Sequence, residues 1–77
     1  MSDHNKVVAG VYRHYKGKDY EVIGVGAHTE TGEELVVYRA LYGEYGLWIR
    51  PLSMFIESVT VDSQPVPRFR LICPFGG

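Results

Sequence analysis

Arg39, Trp48 and Arg50 are the side chains in this sequence best suited to hold a ligand. Trp48 and Arg50 lie two apart in GLWIRPLSMF (residues 46–55), so in an extended strand they share a face. A guanidinium presents a planar fork of donors to carboxylate or phosphate, and an indole gives a wall for stacking or cation–π contact. A second constellation, VYRHYKGKDY (11–20), interleaves aromatics with bases: Tyr12, Arg13, His14, Tyr15, Lys16 and Lys18. Such a mixture can serve single-stranded nucleic acid as a stacking platform. It equally suits an edge strand, where aromatics pack and cations deter unwanted pairing. We take Tyr12, Arg13, His14, Arg39, Trp48 and Arg50 as candidate ligand-binding residues.

Reaction chemistry is harder to find. His4, His14, His28 and Cys73 lack metal-ligand spacing, so no metal is expected. GVGAH (24–28) places two glycines within a strand-like run, and no helix follows, so it is not a phosphate loop. We expect its glycines to serve close packing. Ser53, Ser58 and Ser63 lack a nucleophile context. Glu30, Glu33 and Glu34 crowd an exposed turn. The sequence therefore offers no catalytic residue and no cofactor site, and the reading is non-enzymatic.

The elements that must position the candidates are short strands. YKGKD (15–19), HTETGE (28–33) and YGEYG (42–46) are glycine-bearing polar turns. Between them lie runs rich in Val, Ile, Tyr and Trp. PLSMF (51–55) suits one proline-led turn of 3₁₀ helix, and FIESVTV reads as a further strand. The prolines of DSQPVPRFRLICPFGG confine it to an edge or a covering segment. This spacing predicts an all-β fold: a small five-stranded barrel of the Src-homology-three-like or Tudor-like kind. The expected layout is a flexible segment over 1–9, a single barrel over 10–72 and a tail over 73–77.

A two-residue turn at Glu44 and Tyr45 would set Ala40 opposite Ile49 and Arg39 opposite Arg50. A three-residue loop at Glu30, Thr31 and Gly32 would set Val22 opposite Ala40 and Gly24 opposite Tyr38. One face then collects Val22, Val36, Tyr38, Ala40, Leu47 and Ile49 as core, with Gly24 and Gly26 making room for the Tyr38 ring. Arg39, Trp48 and Arg50 fall on the other face. Like charges directly opposite repel unless an anion or carboxylate lies between them. The plainer arrangement, which we favour, pairs Arg39 with Glu21 and Arg50 with Glu57. The remaining aliphatics on that face, Ile23, Val25, Leu35, Val37 and Leu41, need a cover. Strand one, the tail or a second copy of the chain could supply it.

Composition sets the outer bounds. Seventy-seven residues make one small domain. One cysteine closes no internal disulfide, which suits a reducing compartment, and we expect a cytoplasmic protein. A formal net charge of -1 draws the chain to neither nucleic acid nor membrane. No apolar run has the length of a membrane span.

The string GVYRHYKGKDYEVIGVGAHTETGEELVVYRALYGEYGLWIRPLSMF, followed by VPRF, resembles a bacterial family of short proteins known as domain of unknown function 1653. The likeness runs from Gly10 to Phe69 and includes YRHYKG, TGE, VVY, LYG, W-x-RP with MF, and the late RF. It implies a bacterial intracellular protein, often a small chain by itself, and carries no site residue with it. Gly26, where a larger or more polar residue is expected, and the ending CPFGG depart from the pattern. From the residues, the first expectation is a module that recognises a peptide or protein through an aromatic and arginine-bearing face. The alternative is an RNA-binding or translation-associated small barrel. An enzyme comes third.

Overall fold

The structure is a computed structural model and describes residues 7–75. The valine- and tyrosine-rich runs are extended, as their composition dictates. Strands β1 (Gly10–His14), β2 (Asp19–Ala27), β3 (Glu34–Ala40) and β4 (Leu47–Pro51) form an antiparallel meander. One helical turn, α1 (Leu52–Phe55), follows Pro51, and β5 (Ser58–Val61) and β6 (Gln64–Pro67) make a separate ribbon. β7 (Phe69–Pro74) then returns to pair with β1, giving the order β4-β3-β2-β1-β7. The all-β expectation holds. β4 and β7 are the outer strands of this order and do not pair with each other, so hydrogen bonding does not close the expected barrel. The chain leaves β4 at Pro51 for the helix, and β7 is spent against β1.

The helical turn lies where PLSMF placed it, but it is α rather than 3₁₀: the Ile56 N–H donates to the Leu52 carbonyl at 3.1 Å, a four-residue step. Residues 1–6 of the expected flexible segment, including His4, and residues 76–77 of the expected tail lie outside the described residues. Val7 packs on the core, the Phe75 N–H donates to the Ala9 carbonyl at 3.0 Å, and β7 extends to Pro74. No helix among the described residues is long and apolar enough to cross a membrane.

The turns show what fixes register. Gly32 takes φ 77°, as expected of it. The His28 ring shapes the same loop, its Nδ1 accepting the Glu30 N–H at 3.0 Å. In β2 and β3, Tyr20 faces Ala40 and Val22 faces Tyr38, two positions from the expected register, and a bulge follows between Val22 and Gly24. Before the bulge the slip is even and keeps the faces. Beyond it the slip is one, with Gly24 facing Val37 and Gly26 facing Leu35. β3 alternates throughout, however, so Val22, Val36, Tyr38 and Ala40 are buried as expected. The glycines do not make room for Tyr38: a Cβ at Gly24 or Gly26 would have nothing within 4 Å. Gly24 instead belongs to the bulge.

The β3–β4 register departs further. Val37, not Ala40, faces Ile49, and Val36, not Arg39, faces Arg50. The connection is longer than two residues because Tyr45 joins Gly43 at positive φ (57° and 62°), and the Ala40 N–H reaches the Gly46 carbonyl at 2.9 Å. A slip of three positions is odd, so β4 turns over. Leu47 and Ile49, expected in the core, face outward and are 54% and 62% exposed.

Candidate functional site

The core-side face of the sheet is built from rings. Phe55 of α1 stacks on Phe69 of β7 with centroids 4.1 Å apart. The Tyr12 ring meets Phe55 edge-on at 5.5 Å, while Tyr20, Tyr38 and His14 meet Phe69 at 5.5, 5.7 and 5.0 Å. Edge-to-face contacts of this kind add to the gain from burying the rings. The hydroxyls and cations at the edge of the cluster give it a polar rim. Arg50 Nε donates to Tyr38 Oη at 3.2 Å, and its guanidinium lies 5.7 Å from the Phe69 ring centre. The hydroxyls of Tyr20 and Tyr42 are 2.7 Å apart, and Lys18 Nζ lies 4.9 Å from the Tyr42 ring centre.

These surroundings set the protonation of the rim. The Tyr20 hydroxyl is pushed up to about 12, first by burial and then by its hydrogen bond with Tyr42, so it stays neutral at physiological pH. The His14 pKa is lowered, first by burial and then by the charges of Arg68, Arg50 and Lys16. His14 Nδ1 accepts the Lys16 N–H at 3.1 Å, which leaves the proton of the neutral ring on Nε2.

The six candidates divide between the faces. Trp48 and Arg50 stand opposite Tyr38 and Val36, on the core-side face, not on the outer face assigned to them from register. Trp48 is nevertheless 57% exposed, because β4 is an edge strand. Its ring rests against Gly46, where a Cβ would come within 3.3 Å of the indole nitrogen. His14 joins Arg50 at this face through their common neighbour Phe69.

The other three candidates do not join this exposed rim. Tyr12 is buried, and its hydroxyl donates to the Val8 carbonyl at 2.8 Å, so it is core. Arg13 is exposed and forks onto Asp19 at 2.8 and 3.3 Å. Arg39 faces Glu21 and Leu47 across the sheet and donates to the Tyr45 carbonyl at 3.1 Å, which fastens the β3–β4 turn. Arg39 and Arg50 are therefore not a cross-strand pair. The ion pair expected between Arg50 and Glu57 is replaced, since Glu57 takes Arg68 at 3.2 Å.

Tyr20, Tyr42, Lys18 and Phe69 were not among the candidates. Tyr20 and Tyr42 had a signal, aromatics flanking turns, but their hydroxyl contact joins residues 22 apart in sequence. Among the described residues, no group of three or more His, Cys, Asp or Glu is placed to hold a metal ion. A guanidinium, an indole and tyrosine hydroxyls around an aromatic floor can donate hydrogen bonds to carboxylates and stack on flat or apolar groups.

The model of a protein family of unknown function, DUF1653, matches residues 10–71 of this chain. A crystal structure of a protein belonging to DUF1653 from Bordetella bronchiseptica superposes with a TM-score of 0.82 at 35% sequence identity, covering 97% of this chain and 99% of that one. No curated protein matches the chain.

Proposed function

The chain belongs to the DUF1653 family of proteins of unknown function, and we propose that it is a non-enzymatic module that binds a peptide segment of a partner protein through the face carrying Trp48 and Arg50. The observation that carries this reading is the setting of Arg50. Its guanidinium is held by Tyr38 Oη and the Phe69 ring beside an indole that is 57% exposed. An arginine already fixed loses less conformational freedom when a carboxylate docks on it. Tryptophan and arginine are also the side chains that most often anchor interfaces. The segment recognised presents a carboxylate to Arg50 and an apolar or aromatic group to Trp48.

Trp48 is the sole tryptophan, so its emission reports on the site directly. The test is to select peptides from a random display library on the immobilised protein and titrate each into the free protein. The reading requires saturable changes in Trp48 emission. Selected peptides that bind without altering that emission contradict it, as does saturation by single-stranded oligouridylate where no peptide acts.

A further inference from the structure

β1 and β7 pair with Arg13 directly opposite Arg70. Like charges in that arrangement repel. On its other side Arg13 faces Asp19 of β2, which binds it at 2.8 and 3.3 Å. The ion pairs among the described residues are Arg13 with Asp19 and Arg68 with Glu57, so no described carboxylate serves Arg70. Both arginines open onto a groove of about 480 Å³, lined also by Lys16 and by Val61, Val66 and Pro67 of the β5–β6 ribbon. No carboxylate among the described residues lines it. His14, another lining residue, has its pKa lowered first by burial and then by the charges of Arg68, Arg50 and Lys16, of which Lys16 also lines the groove. Glu30, Glu33 and Glu34 lie at or next to the turn at the opposite end of β2. A net charge of -1 thus conceals a cationic end.

Arg13 is answered by Asp19, but among the described residues no carboxylate serves Arg70 and none lines the groove. We infer that the groove binds acidic side chains of the partner peptide, aspartate or glutamate beside an apolar residue. The carboxylate sits between Arg13 and Arg70 within reach of Lys16, and the apolar side chain lies against Val61, Val66 and Pro67. This rests on the reading that the protein binds a peptide, and it adds the charge of that peptide and a second point of contact. Nucleic acid fits less well. Single strands are held by successive bases stacked on aromatic rings. Here the lining aromatics are His14 and Tyr15, packed on each other at 4.6 Å, and the remaining apolar lining is aliphatic.

The test uses the full chain and peptides selected from a random display library. The selected sequences should carry an acidic residue next to an apolar one, and should shift the amide resonances of Tyr15, Lys16 and Arg70. Arg70→Glu should weaken binding about tenfold or more, since reversing the charge sets a carboxylate against the ligand's own. Lys16→Glu, in an exposed turn, gives the same reading should Arg70→Glu fail to fold. If both variants bind as wild type does while Trp48→Ala does not, the groove assignment is wrong and the Trp48 face stands. If both lose binding and Trp48→Ala keeps it, the groove stands and the Trp48 face falls. Neutral or basic selected sequences, no selected sequence at all, or oligouridylate displacing the peptide from the groove would each overturn the inference.

Discussion

The Phe55 and Phe69 rings lie 2° from parallel with centroids 4.1 Å apart, which ties the helical turn after β4 to the first residue of β7. Phe69 also carries the edges of Tyr20, Tyr38 and His14 and lies beneath Arg50. Phe69→Ala should cost about 3–5 kcal/mol in denaturant unfolding. A loss below about 1 kcal/mol would mean that the ring is not the keystone of this cluster.

Ile49 and Val36 distinguish the observed β3–β4 register from the alternative in which Ile49 points inward. Ile49→Ala should change stability by no more than about 0.5 kcal/mol, as at other exposed positions. Val36→Ala, at a fully buried site, should cost on the order of 1.5–3 kcal/mol. The reverse ranking would place Ile49 in the core.

How much of this was legible in the sequence depended on whether a turn announced itself. The Gly32 loop did, through a glycine at positive φ. The β3–β4 turn does not, because Tyr45 takes a left-handed conformation that tyrosine rarely adopts, and a two-residue turn in its place sets the following strand face-down. Trp48 is exposed as expected, but its exposure follows from the edge position of β4, not from the outer face. The ribbon turn was equally silent. Asp62 and Ser63 both have positive φ, as a tight hairpin requires, without the Asn-Gly or Asp-Gly signal. The prolines at 65 and 67 marked an edge correctly, but they concealed that Phe69 begins a strand of the main sheet. Arg13 and Arg70 could not be paired from sequence, since 57 residues separate them and β7 shifts register against β1.

Gly10 is fixed by contact. A Cβ there would come within 2.6 Å of the Cys73 carbonyl oxygen and 2.8 Å of the Pro74 Cα, both backbone atoms. Gly10→Ala must push β7 away from β1, and should lower stability by about 1–3 kcal/mol. The shift should appear in the amide resonances of Cys73 and Phe75. Unchanged stability and spectra would show that the two strands are less closely apposed.

His14 makes stability depend on pH. Its folded pKa lies below the unfolded value of about 6.5, so between the two the unfolded chain binds more protons. The contribution of His14 is complete above about pH 6.5 and is lost as pH falls through that value towards the lower folded pKa. Protonation also removes the Nδ1 lone pair that accepts the Lys16 N–H. The unfolding midpoint should therefore fall below pH 6.5 in wild type, and fall less in His14→Asn. An equal fall in both would remove His14 from this role.

The central claim is that Trp48 and Arg50 serve binding rather than folding. The most direct measurement sets Trp48→Ala and Arg50→Ala beside wild type, with unfolding followed by far-ultraviolet circular dichroism and peptide binding by calorimetry. Trp48→Ala should stay within about 1 kcal/mol of wild type, since the side chain is 57% exposed. Arg50→Ala should lose about 0.5–1.5 kcal/mol with its bond to Tyr38. Both should lose the peptide. A Trp48→Ala protein that loses about 3–5 kcal/mol and still binds with wild-type affinity when folded would contradict the account, because the indole would then be core.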